Sequence, residues 1–149
     1  MIAICEREIG KMKTDDETRK LLVREAIKAR ENAYVPYSNF AVGAALLTKG
    51  GKIYRGCNIE CGSYSPTNCA ERTAFFKAVS EGEREFAAIG IVGGMKGGEL
   101  RQNSYPCGVC RQVMSEFCDG DFEIIIGWNE NEYNGYTLDQ MLPFRFELQ

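Results

Sequence analysis

The chain has 149 residues, enough for one domain that buries about 70% of its unfolded surface, and it contains seven cysteines and no histidine. Without histidine there is no Ser-His or Cys-His triad, no His-ligated metal and no imidazole base, so any chemistry must run on carboxylates, thiols, lysines, backbone dipoles or a cysteine-bound metal. The net charge of −3, with Lys and Arg scattered among acidic residues, lacks the basic footprint of a polynucleotide binder and leaves a free nucleoside as a candidate partner.

Residues 1–13 are expected to form an N-terminal arm ahead of a single domain over residues 14–149. Thr14 and Glu17 have capping-box spacing before a helix running to about Ala33, with Leu22, Ala26, Ala29 and Ala33 on one stripe. Ala41 to Leu47 and Ile53 to Ile59 read as strands joined by a turn at Lys49-Gly50-Gly51-Lys52. Pro66 precedes a helix from about Asn68 to Ser80, which Gly82 stops. Ala87 to Val92 is a buried strand ending at Gly93-Gly94. A glycine-containing loop leads to Tyr105, and Pro106 occupies the first turn of a helix to Phe117. Glu123 to Trp128 is a fourth strand, Tyr136-Thr137 a short fifth, and Leu138 to Leu142 a helical turn. This order predicts an α/β fold, a three-layer mixed β-sheet flanked by helices. No apolar run is long enough to span a membrane, and the first residues lack the basic and apolar regions of a signal peptide. Together with the odd cysteine count, this predicts a reducing, cytoplasmic location with thiols or metal ligands in place of a disulfide framework.

Three cysteines stand at helix starts: Cys69 in one, Cys107 and Cys110 in the other. The positive end of a helix dipole lowers thiol pKa values, and two helix starts following strands can converge at one sheet edge. Three thiolates suit zinc, whose catalytic form keeps one position for water. Glu71 can then carry the proton that a histidine would otherwise move. Residues two apart on a regular helix point about 200° apart, so Cys69 and Glu71 share one centre only if Cys69 sits at the irregular start. A dication among three thiolates leaves the centre one unit negative, and Arg72, three residues after Cys69, is placed to offset that charge. Two other arrangements use the same cysteines. A closed four-cysteine zinc site would recruit Cys57 and Cys61 but leave Cys69-Ala70-Glu71 without a role. A redox C-x-x-C at Cys107 and Cys110 would leave Cys69 and Glu71 without one. Cys5, Cys57, Cys61 and Cys118 otherwise read as small packing residues.

Five motifs in order carry a resemblance: Tyr34-Val35-Pro36-Tyr37-Ser38-Asn39-Phe40, Val42-Gly43-Ala44-Ala45, Gly56-Cys57-Asn58-Ile59-Glu60, Cys69-Ala70-Glu71-Arg72, and Pro106-Cys107-Gly108-Val109-Cys110-Arg111-Gln112. From about Leu21 to Phe146 the chain resembles the small homotetrameric cytidine deaminases. The resemblance implies a cytidine deaminase-like fold and one zinc per chain on Cys69, Cys107 and Cys110. It implies Glu71 as the proton carrier in hydrolysis of cytidine or deoxycytidine to uridine or deoxyuridine and ammonia, within pyrimidine salvage. It also implies Asn58 and Glu60 on the ribose hydroxyls, Ala70 and Phe40 at the base, and Phe146 reaching a neighbouring subunit's site, hence a homotetramer with shared sites. The chain departs from the family pattern at Cys61-Gly62-Ser63, at Tyr105, in the Met95–Tyr105 loop and at Phe144-Arg145-Phe146. These positions border the substrate and leave a second aminopyrimidine nucleoside, or a nucleoside antibiotic, open as the substrate. From a different class, a non-catalytic zinc or nucleoside binder remains, although it would have no use for Glu71.

Overall fold

The computed structural model describes residues 13–148. Helix α1 (Asp16–Arg30) is followed by strands β1 (Phe40–Thr48) and β2 (Ile53–Cys57), then helix α2 (Ala70–Ser80), strand β3 (Phe86–Met95) and helix α3 (Gly108–Phe117). Strands β4 (Glu123–Asn129) and β5 (Glu132–Thr137) and the short helix α4 (Leu138–Met141) complete the order. The five strands form one sheet in the order β2-β1-β3-β4-β5. All neighbours are antiparallel except β3 and β4, which are parallel and joined through α3.

Period-2 alternation sends successive strand residues to opposite faces, and both faces are covered. On one face Leu22, Val23 and Ala26 of α1 meet Ala45, Ala88, Val92 and Ile125. On the other, Ala70, Ala74, Phe75 and Ala78 of α2 and Met114 of α3 meet Ala44, Leu46, Ile89, Ile91, Ile124 and Ile126. The predicted three-layer α/β architecture is therefore the one observed. Phe75 lies at the centre of an aromatic cluster with Phe86, Phe117 and Phe122, ring centroids 5.1 to 6.2 Å away.

Strand direction places the site. β1 is antiparallel to both β2 and β3, so β2 and β3 run the same way and end at the same edge. The helices that follow them, α2 and α3, therefore begin at that edge. Gly56 of β2 lets α2 approach closely: a Cβ there would stand 2.3 Å from the Ala70 carbonyl oxygen and 2.5 Å from the Ala74 nitrogen.

Several boundaries differ from expectation. Asp15, not Thr14, caps α1, its carboxylate accepting from the Thr18 amide at 2.8 Å. Thr14 instead donates its amide and hydroxyl to the buried Glu123 of β4, so the Thr14–Glu17 capping box does not form. Helix α1 stops at Arg30, before Ala33, and Leu22, Ala26 and Ala29 are its buried stripe. Strand β2 ends at Cys57, before Ile59. Ile59 forms isolated bridges to Tyr34 and Asn68, which turn the chain off the sheet edge. Strand β3 runs through Gly93-Gly94 to Met95, held by pairing with Phe40 and Ala41 of β1. Pro106 precedes α3 rather than entering it, because Cys107 is the capping residue. β5 is longer than Tyr136-Thr137, paired along β4 from Thr137 to Glu132. No helix among the described residues is long and apolar enough to cross a membrane. The expected N-terminal arm lies outside the described residues except for Lys13, as does Cys5.

Candidate active site

Cys69 and Cys107 are the capping residues of α2 and α3, with extended backbone (φ −73°, ψ 155° and φ −67°, ψ 167°). Neither side chain caps its own helix, so both sulfurs remain for another partner. Cys110 lies one turn into α3 and is buried. The three sulfurs lie within 4.8 Å of one another, and the Cys69 and Cys107 sulfurs are 3.7 Å apart. Tetrahedral zinc with Zn–S bonds of about 2.3 Å sets its sulfurs about 3.8 Å apart. The donor set and its spacing thus fit a zinc ion held by three thiolates. Cys57 and Cys61 do not join the cluster, so the four-cysteine site is not formed. Cys69 completes a triad that a two-cysteine redox motif would not use. Of the remaining described cysteines, Cys118 packs against the core, while Cys57 and Cys61 are half-buried.

The extended backbone at Cys69 resolves the spacing problem with Glu71. Because Cys69 precedes the first helical residue, its sulfur and the Glu71 carboxylate point to one centre, and Glu71 Oε2 stands 3.8 Å from Cys110 Sγ. Glu71 is buried, at 4% exposure. Desolvation, reinforced by the nearby charge of Cys69, pushes its carboxyl up to about 7, where it can both hold and release a proton near neutrality.

The sulfurs share charge unevenly. Hydrogen bonding from Cys110 holds the Cys69 thiol well below its ordinary value against its burial, with Arg72 and Cys107 assisting. The same contact, together with burial, pushes the Cys110 thiol well up. Arg72 Nη2 donates to Cys69 Sγ at 3.3 Å. Burial opposes the guanidinium charge, but the Cys69 and Cys110 sulfurs outweigh it and hold Arg72 above its ordinary value. Its buried Nε has no hydrogen-bond partner.

A cavity of about 140 Å³ opens on this centre, lined by Phe40, Val42, Asn58, Cys69, Ala70, Glu71, Ser104, Tyr105 and Cys107. The structure therefore brings together Phe40, Asn58, Ala70 and Glu71 of the expected site. Asn58 is fixed by two bonds to β1, accepting from Val42 N at 2.9 Å and donating to Phe40 O at 2.8 Å. Glu60 is not in this cavity. It borders a second depression with Tyr37, Ser38, Cys61, Tyr64 and Thr67, and Oε1 accepts from the Tyr37 and Ser38 amides. The Ser38 hydroxyl and these amides lower the Glu60 carboxyl below its ordinary range. Phe146 also lies outside the cavity, 68% exposed, with its carbonyl accepting from Gln112 Nε2 at 3.0 Å.

Val42 and Ser104 were not anticipated as lining residues. Val42 was legible from alternation, since it shares a strand face with Phe40. Ser104 lies in an irregular loop, where no periodicity marks it.

The family model describing the cytidine and deoxycytidylate deaminase zinc-binding region matches residues 16–127. A cytidine deaminase of Halalkalibacterium halodurans is 51% identical over 128 residues, covering 86% of this chain and 93% of that protein. One of Sporosarcina psychrophila is 51% identical over 125 residues, covering 84% and 88%. The crystal structure of cytidine deaminase from Burkholderia pseudomallei is similar with a TM-score of 0.77 and 45% identity, covering 85% of this chain and 97% of that one. With three sulfurs and a buried carboxyl at paired helix starts, and with these matches across most of its length, the chain belongs to the cytidine and deoxycytidylate deaminase zinc-binding family.

Proposed function

We propose that this protein is a zinc-dependent cytidine and deoxycytidine deaminase, in which water replaces the 4-amino group and uridine or deoxyuridine and ammonia are released. The observation that carries this reading is the buried Glu71 carboxyl, 3.8 Å from Cys110 Sγ, beside three sulfurs at zinc-binding spacing in a cavity. Cys69, Cys107 and Cys110 would hold one zinc per chain, which when bound supplies Lewis-acid activation of water. Glu71 would take a proton from the attacking water and deliver it to N3 as the oxygen bonds to C4, then pass the proton of the new C4 hydroxyl to the 4-amino group, so that the C4–N bond breaks, ammonia leaves and the C4 carbonyl forms. Its burial keeps bulk water from competing for the proton and lets one group act as acceptor and then donor. Arg72 offsets the excess thiolate charge. Phe40 packs on the pyrimidine and Ala70 offers backbone contacts to it.

Asn58 and Glu60 suit the ribose hydroxyls, since an amide donates and accepts while a carboxylate accepts. Their bonds to β1 and to the Tyr37–Ser38 turn hold both side chains in place before substrate arrives. In a homotetramer with shared sites Phe146 would serve a neighbouring copy, and its exposure outside its own chain's cavity supports that reading. In this reading residues 14–149 form one catalytic domain, working in the cytoplasm in pyrimidine salvage with no nucleic-acid partner.

The test is zinc per chain together with loss of cytidine ultraviolet absorbance, for wild type and Glu71→Gln. One zinc per chain in both proteins is expected, with activity in wild type and a loss of about 10²–10⁴-fold in the variant, the range that acid–base groups contribute. Zinc-loaded wild type inactive on cytidine and deoxycytidine would overturn the proposal.

A further inference from the structure

One wall of the cavity has no part in the chemistry above. The β3–α3 loop ends in Ser104 and Tyr105, and both line the cavity two or three residues before Cys107. The Tyr105 ring meets the ring of Tyr136 edge to face, with centroids 5.7 Å apart, planes at 83° and hydroxyls 3.4 Å apart. Tyr136 sits on β5, paired with Ile124 of β4, and packs against the core, so it is a firm support.

The backbone on both sides of Tyr105 is also tied down. Ser104 Oγ donates to Gly93 O at 3.2 Å. Arg111 donates from Nε to Pro106 O at 2.8 Å and from Nη1 to Met141 O at 2.6 Å. Gly93 allows the loop to lie this close: a Cβ there would stand 2.7 Å from Ser104 Oγ and 3.2 Å from Phe40 Cε1. Phe40 and the Ser104–Tyr105 wall thus close on the cavity from two sides of one glycine. The resulting space, about 140 Å³, is well below the range of about 300–1,000 Å³ for pockets that take drug-sized ligands.

We infer that Tyr105 is a specificity-determining residue that limits the cavity to pyrimidine bases without added bulk on the ring, and that Tyr136 is its positioning residue. This rests on the nucleoside reading of the site. A methyl group on the base requires the Tyr105 ring to yield. Motion toward Tyr136 runs into its ring, and motion away gives up the edge-to-face contact and the paired hydroxyls. One methylene in a closed apolar pocket changes selectivity by roughly 10–200-fold, so a rigid wall is enough to produce a clear preference.

The test measures binding of uridine and 5-methyluridine to the zinc-loaded protein by calorimetry, and in parallel turnover of cytidine and 5-methylcytidine. Wild type is expected to favour the unmethylated nucleoside by about 10-fold or more. Tyr105→Ser should bring that ratio within about threefold of unity. Tyr136→Ala should move it the same way, and Tyr136→Phe, which keeps the ring, should stay near wild type. A ratio unchanged in Tyr105→Ser, with normal circular dichroism and zinc content, overturns the inference, as does a wild type that binds both nucleosides equally. A selective wild type that fails to deaminate cytidine refutes the proposed activity and leaves the inference standing. Binding of neither nucleoside overturns both.

Discussion

Arg72→Ala should weaken zinc binding by roughly 10–30-fold, a magnitude that follows from one contact. The guanidinium Nη2 lies 3.3 Å from Cys69 Sγ. Two unit charges at that distance interact by roughly 5 kcal/mol at an effective dielectric constant of about 20, before desolvation is subtracted. Hydrogen bonds to charged groups contribute about 1.5–3 kcal/mol net. Arg72 also carries a buried Nε without a partner, a cost relieved when the side chain is truncated, which places the net effect near about 1.5–2 kcal/mol. The result agrees with the roughly 10–100-fold commonly lost when a group supporting a metal ligand is removed. The assay is competition for zinc against a chromophoric chelator at fixed pH. Arg72→Gln, which keeps a neutral donor, should fall between wild type and Arg72→Ala. A zinc dissociation constant within twofold of wild type for Arg72→Ala, with unchanged circular dichroism, would refute the charge-offset argument.

Asp15→Ala should destabilise the fold by about 1 kcal/mol in chemical denaturation through loss of the α1 cap, whereas truncating a cap at Thr14 has no such cap to lose. Phe75→Ala removes a fully buried ring packed on Phe86, Phe117 and Phe122 and should cost about 3–5 kcal/mol, lowering Tm by roughly 6–20 °C. Among the cysteines outside the metal cluster, Cys61 should react with iodoacetamide well before Cys118 in the zinc-loaded protein, read by peptide mass. The Ser63 hydroxyl lowers the Cys61 thiol below its ordinary value, while burial, with the charge of Asp119, pushes Cys118 up to about 12. Ser63→Ala should slow labelling of Cys61.

The differences between expectation and structure have local causes. Thr14 and Asp15 are both good capping residues, and propensity alone does not separate them. Glu123, more than a hundred residues away, takes the Thr14 hydroxyl and amide and leaves the cap to Asp15. Ile53 to Ile59 looks like one strand, but Tyr34 and Asn68 capture Ile59 and end β2 at Cys57. Beyond that early end Asn58 lines the cavity and Glu60 a second depression, although alternation alone would have placed them side by side on one strand face.

The sequence by itself determined which residue types are available for chemistry. Seven cysteines and no histidine leave thiolate as the available soft ligand, and C-A-E followed by P-C-x-x-C names Cys69, Glu71, Cys107 and Cys110. Short spacings carry such information because they depend only on residue type and local helix geometry. Tertiary structure alone decided that these residues meet. Cys69 and Cys107 are 38 positions apart, and their sulfurs come within 3.7 Å because β2 and β3 run the same way on either side of β1. Strand direction comes from sheet pairing between distant segments, which no local pattern encodes. Burial likewise decided that the Glu71 carboxyl is held above its ordinary range, and the loop's packing decided that the Tyr105 ring meets Tyr136 and lines the cavity.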